Sequence, residues 1–307
     1  YNGATKLAID NGALVATTPM GTITEQAPYT YYAGSKEMVN SRFVLQGNVL
    51  SYAVAAANNS AGIVIDPSLH WASYYGGTGN ESAVESATDT AGNIYMAGQT
   101  SSTTNIATTG AHQTTITGSQ DDGFVAKFDM NGVRQWATYY GGAALDQFVD
   151  IASDLQGNLY IIGIASSTGL ATTAAHQTTL AGTNDAILIK LNSSGVRQWA
   201  TYYGGTDSDA GAGIAINGSG DVYVGLNVGG TSTGLATTGA FQTTVGGGCI
   251  VKFNSAGVRQ WATYINIDIS SVCVDNSNNM YVTGATSMSS GIATTGAHQA
   301  VITGASA

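Results

Sequence analysis

Residues Asp146–Gly205 read DQFVDIASDLQGNLYIIGIASSTGLATTAAHQTTLAGTNDAILIKLNSSGVRQWATYYGG. Four runs rich in β-branched and aromatic residues stand out: VDIAS, LYIIGIA, AILIKL and VRQWATYY. Such runs favour strands, and each is closed by turn chemistry. DLQGN separates the first two, with Asp to open a turn and Gly to take positive φ. NSSG does the same for the last two. The stretch therefore predicts two β-hairpins, which together make one four-stranded antiparallel sheet.

The pattern recurs on both sides. Trp71, Trp136, Trp199 and Trp261 are spaced by 65, 63 and 62 residues. The first turn returns as DTAGN, NGSGD and DNSNN, and the second as DMNG and NSAG. Sheets repeated in tandem at this length predict an all-β fold of β-propeller blades, each covering the next. Because a lone blade has no partner for its faces, stability should depend on neighbours. The predicted units run at about 81–141, 146–204 and 209–264, with a partial unit at 268–307, or about 3.5–4 blades. Residues 67–307 thus form the repeat region, and residues 1–66 a small β-rich segment with DNGAL and QGNVL hairpin turns.

On the recurring WATYYGG, GAHQ and RQW phrases, the region from Trp71 to Ala307 resembles the bacterial SBBP repeat, the seven-bladed β-propeller repeat. Residues 1–66 resemble the end of the β-rich domain that often precedes such repeats. The resemblance implies secreted or cell-surface proteins of Gram-negative bacteria, many with a C-terminal secretion-sorting domain, and no established catalytic residues. The chain departs from it in blade count and stops inside a unit. Two explanations stay open: a segment of a longer array, or a four-bladed ring. In the ring, HWASYYGG and IVID would supply the strands missing from the last unit.

Composition narrows the function. A net charge of −10 argues against nucleic acid and anionic membrane surfaces as partners. Six of the nine basic residues sit at two repeated positions, Lys127, Lys190 and Lys252 and Arg134, Arg197 and Arg259, and so form no patch. No apolar run reaches the roughly 18 residues that span a bilayer. The chain begins with Tyr1, which suggests processing or excision and an export signal removed. Cys249 and Cys273 take apolar slots of the repeat, so two buried thiols are expected.

Among candidate site residues, the histidines come first. His112, His176 and His298 share one slot, which Phe241 fills in the third unit. A phenyl ring cannot replace a base or ligand, so the slot is expected to be packing. The first strand of each blade lies innermost in a propeller, so Glu81, Asp146 and Asp209 would ring one channel mouth, with Asp207 beside them. Such a ring of oxygens suits Ca²⁺, the one cofactor raised here, although turn-forming acids are the plainer reading. Asp122 and Asp185 are read as turn caps. GTSTG at Gly230–Gly234 matches a nucleophile-elbow string, but it lies in a loop and lacks the strand-to-helix context that chemistry needs. The expectation is a non-enzymatic, extracellular or cell-surface structural or adhesive module, with a protein or glycan partner, self-association or membership of a larger array. The alternatives are a polysaccharide hydrolase or lyase and a calcium-stabilised surface module.

Overall fold

The computed structural model describes residues 4–18, 21–47, 49–55, 62–66, 71–288 and 292–301, and all its regular structure is β. The chain divides into two compact units, Tyr1–Ala72 and Ser73–Ala307.

In the first unit, β1 (Lys6–Asp10), β2 (Ala13–Thr18) and β3 (Gly21–Glu25) form an antiparallel meander. The β1–β2 turn is Asn11-Gly12, with φ of 49° and 87°, the left-handed pair that a two-residue hairpin requires. Next, β4 (Tyr29–Tyr32) pairs not with its sequence neighbours but with β7 (Ile63–Asp66). Between them β5 (Ser41–Gln46) and β6 (Val49–Val54) make a hairpin. Leu14, Ala16, Val39 and Phe43 are buried here.

The second unit carries the repeat. Sheet I contains β8 (Glu81–Thr88), β9 (Ile94–Thr100), β10 (Asp122–Phe128) and β11 (Arg134–Tyr140). Sheet II contains β12 (Asp146–Ser153), β13 (Leu159–Ala165), β14 (Asp185–Leu191) and β15 (Arg197–Tyr203). Sheet III contains β16 (Asp209–Ile216), β17 (Val222–Val228), β18 (Gly248–Phe253) and β19 (Arg259–Ile265). Sheet IV is the pair β20 (Asp268–Val274) and β21 (Met280–Ala285). Each complete sheet is antiparallel, with strands side by side in chain order. Every first strand carries a β-bulge at one equivalent place: Ala83/Glu85, Phe148/Asp150, Gly211/Gly213 and Ile269/Ser271. A bulge adds local twist, and its repetition gives each sheet the same bend.

Consecutive sheets lie face to face, with first strand beside first strand. Between I and II, Tyr95, Val125 and Tyr140 meet Phe148, Ile151 and Ile161. Between II and III, Tyr160, Ile162 and Leu188 meet Ile214, Val224 and Leu226. The III–IV layer is smaller and centres on Ile269 and Val272. The far face of β8 is different. Ala83 and Ser86 stand where β12 has Phe148 and Ile151, and Val84 is 48% exposed. Tyr75 packs on the outer part of sheet I, 5.6 Å from both Phe124 and Phe128.

Within the first unit the IVID residues are β7 and pair with β4. The residues 71–77 form no strand, and no third strand joins β21 among the described residues. Against expectation Cys273 is exposed: among the described residues no sheet follows sheet IV to cover it, as sheet III covers Ala152 and sheet IV covers Ala215. Cys249 is buried as expected, and burial pushes its thiol up to about 12, which leaves it protonated and unreactive at neutral pH.

Candidate functional site

The fourth strands β11 and β15 read Arg-Gln-Trp-Ala-Thr-Tyr-Tyr, β19 has Ile265 in place of the last tyrosine, and strand alternation gives the two faces different work. Tyr139 turns inward to its own sheet and donates to Ser102 O at 2.7 Å. Tyr202 and Tyr264 do likewise toward Ser167 O and Ser232 O, both at 2.6 Å. Trp136 and Tyr140 reach the next sheet. The Trp136 Nε1 donates to Ser193 O at 3.1 Å, and the Lys127 ammonium donates to that same carbonyl at 3.1 Å. Trp199 and Lys190 repeat the pair on Ser255 O. The turns they grip need glycine twice over. Gly195 and Gly257 take φ of 78°, and a Cβ on either would stand 2.9 Å from the indole of Trp136 or Trp199.

Tyr140 donates its hydroxyl to Leu170 O at 2.7 Å and accepts from Arg197 Nη1 at 3.2 Å, with the guanidinium 5.9 Å above its ring. Tyr203, Leu235 and Arg259 form the next copy. Against the other side of each fourth strand lies the repeated ATTGAHQ phrase. Thr108 N donates to Ala137 O, and Gln113 N to Thr138 Oγ1, each at 2.9 Å, so the loop is bonded along β11 almost like a further strand. The histidine then projects at the rim, its ring stacked on the second tyrosine: His112 on Tyr140 at 5.2 Å and His176 on Tyr203 at 5.6 Å. Burial, with the neighbouring arginine second, holds both imidazoles below their usual range.

These parts enclose a cleft between consecutive sheets. The I–II cleft has a volume of about 460 Å³, with Thr109, His112, Gln135 and Trp136 on one wall and Gly195, Val196 and Arg197 on the other. The II–III cleft, about 430 Å³, has Thr173, His176, Gln198 and Trp199 facing Gly257, Val258 and Arg259. Among the described residues, no carboxylate lines either one. A third, one-sided hollow lies at Thr238, Phe241, Gln260 and Trp261. It lacks the opposite wall because sheet IV has no third-to-fourth-strand turn among the described residues, and Lys252 instead pairs with Asp221 at 2.7 Å.

The histidine slot therefore departs from a packed plug. His112 and His176 are stacked but exposed, and His298 is exposed. Phe241 is 88% exposed, because Ile265 replaces the tyrosine on which the ring would stack. His70 lies outside the described residues, and Trp71 is half-buried.

The acids read as a calcium ring do not converge. Each holds its own loop. Glu81 accepts from Thr100 Oγ1 at 2.9 Å and from Ser102 Oγ. Asp146 accepts from the backbone N–H groups of Gly142, Ser166 and Ser167. Asp209 accepts from Gly205 N, Gly229 N and Ser232 Oγ. Asp207 takes Ser208 N and Thr231 on an exposed loop. Among the described residues, no three His, Cys, Asp or Glu side chains gather as a metal would need. Burial holds Asp146 and Asp209 above the usual carboxylate range even so. Asp268 falls in register with Gln147, one residue past these acids.

Ser232 of the GTSTG string is buried, its hydroxyl given to Asp209 at 2.8 Å. Asp122 and Asp185 do cap their loops, accepting from Thr117 N and from Ala181 N. The sequence reading missed Arg197 and Arg259 as wall residues. The available signal was their recurrence without an acid recurring beside them.

Residues 1–68 match a family described only as a domain of unknown function, DUF7948. No curated protein matches the chain. Among solved structures, it is similar to a protein of unknown function from Bacteroides caccae, at 11% identity and a TM-score of 0.34, covering 67% of this chain and 54% of that one. It is also similar to an extracellular domain assigned to the one-component system BT4673 of B. thetaiotaomicron, at 10% identity and a TM-score of 0.28, covering 92% of this chain and 37% of that one. The chain thus spans little more than half the length of the first and about a third of the second. Among the described residues, no helix is long and apolar enough to cross a membrane.

Proposed function

We propose that this chain is a non-enzymatic, extracellular or cell-surface binding module. Its sheets act as blades of β-propeller type, and the clefts between them serve as the binding surface. The observation that carries this reading is the repetition of one cleft, with equivalent walls, at two successive sheet junctions. Repetition suits multivalent adhesion to a repeating surface, where two weak contacts combine into one strong one. A catalytic site, by contrast, needs residues that break the repeat. A polysaccharide hydrolase needs two carboxylates across its cleft, and these clefts are lined by none. A calcium-stabilised module would need oxygens to spare, whereas Asp146 and Asp209 spend both of theirs on hydrogen bonds.

The test is a screen of the intact chain against immobilised glycans and surface proteins, with Trp136→Ala/Trp199→Ala alongside. Binding that the double substitution abolishes, with ligand recovered chemically unchanged, is the expected result. Cleavage of any bound glycan would replace this reading with the enzymatic one.

A further inference from the structure

Three arginines of this acidic chain, Arg134, Arg197 and Arg259, have no carboxylate within ion-pair distance among the described residues, where the ion pair found is Lys252–Asp221. Two of the three line the complete clefts. Their Nη1 atoms are committed to a tyrosine hydroxyl and a backbone carbonyl, which fixes the guanidinium at the cleft wall. A fixed, unpaired guanidinium is a preorganised partner for a carboxylate, which it can take bidentately at small entropic cost. The rest of the lining is neutral and rich in hydrogen-bonding groups. Thr109 and Gln135 in the first cleft, with Thr173 and Gln198 in the second, stand exposed at the rim beside the half-buried indole. Hydroxyl and amide groups with an aromatic edge match a polyhydroxylated ring; the guanidinium adds a demand for negative charge on that ring.

We infer that the two complete clefts each bind a uronate residue of an acidic polysaccharide, with Arg197 or Arg259 on the carboxylate and the threonine and glutamine side chains on the ring hydroxyls. This deepens the binding-module reading and rests on it. The two sites should not be equal. Asp129 accepts from Gln135 Nε2 at 3.1 Å behind the first cleft, whereas its counterpart in the second is the neutral Asn192. The second cleft therefore repels an anion less.

The experiment is calorimetric titration of the full chain with oligogalacturonate and with its methyl ester, which keeps the ring hydroxyls but replaces the charged carboxylate with a neutral ester. Tighter binding of the acid than the ester, by about tenfold, is expected. Arg259→Gln should weaken acid binding more than Arg197→Gln, and both should narrow the preference for acid over ester. Arg134→Gln is the internal control. It removes the same guanidinium from the same strand position, over Tyr75 and on Ile106 O, but it lines neither complete cleft. It should leave titration unaltered. Where an arginine variant melts too early to titrate, Thr109→Val/Thr173→Val carries the test, because those exposed hydroxyls can be removed without unfolding. That pair should lower affinity for acid and ester alike. Equal binding of acid and ester would overturn the uronate assignment while leaving a glycan-binding module standing. An effect of Arg134→Gln equal to that of Arg197→Gln would also overturn it, since the charge would then act without the cleft. No binding to either ligand refutes the inference, and the broader reading is then decided by its own screen.

Discussion

Asp122 is a carboxylate held at an energetic cost. It is wholly buried, and its Oδ2 accepts from Gln113 Nε2 at 3.1 Å and Thr117 N at 2.9 Å. Its Oδ1 has no hydrogen-bond partner among the described residues. Burial above all, with Asp146 and Asp121 nearby, pushes its pKa up to about 6. Since the folded value exceeds the unfolded one, the fold tolerates the protonated form fully below about pH 4. It then loses stability as pH rises toward 6, by on the order of 3 kcal/mol in total. Asp89 and Asp275 act oppositely: their turn hydrogen bonds hold them below the usual range, and that contribution is lost as pH falls. Asp122→Asn isolates the first effect. Denaturant melts between pH 4 and 8 should show the variant gaining on the parent across this window, and parallel curves would show that Asp122 carries no such penalty.

At the scale of elements, the sheets are joined by grips of one strand on the next turn, and these grips are unequal. Trp136 and Trp199 each have a turn carbonyl and a close glycine. Trp261 has no such turn to grip among the described residues. Trp136→Ala should therefore cost about 3 kcal/mol and Trp261→Ala about half of that, because the second removes packing but no inter-sheet contact. Urea melts of the two variants check this, and equal losses would mean that the grip adds nothing. Such differences explain which features were legible in sequence. Turns such as DLQGN were readable because their physics is local: Asp154 Oδ1 accepts from Gln156 N and Asn158 N, two and four residues on. The strands were readable because their neighbours repeat them. The acid at the start of each first strand was recognised as a shared position, but its partners were not. Ser166 and Ser167 lie about twenty residues from Asp146, at the far end of the hairpin. The stacking of His112 was equally hidden, since Tyr140 meets it only once the loop has folded along β11. Phe241 shows the limit: one phrase in four copies suggested one role, yet Ile265 altered its setting from 24 residues away.

The second unit as a whole is a row of sheets stabilised by nearest neighbours, so its stability should grade along the row. Sheet II is covered on both faces, and nearly every residue of β13 and β14 is buried. In sheet I, β8 is largely exposed and carries small and polar residues at slots that are apolar further on. In sheet IV, β20 and β21 pair with no further strand among the described residues, and Tyr281 is 53% exposed. Its counterparts Tyr95 and Tyr160 are fully buried, each with a lysine ammonium over the ring at 5.2 and 4.9 Å. Local opening energy follows buried contact, so native-state hydrogen exchange should be slowest in β13 and β14 and fastest in β8, β20 and β21. A ligand that bridged the I–II and II–III clefts would tie three sheets together, and so should slow β8 more than β21. Uniform protection along the unit in the absence of ligand would overturn the nearest-neighbour account, because it would mean that every sheet opens only when all do.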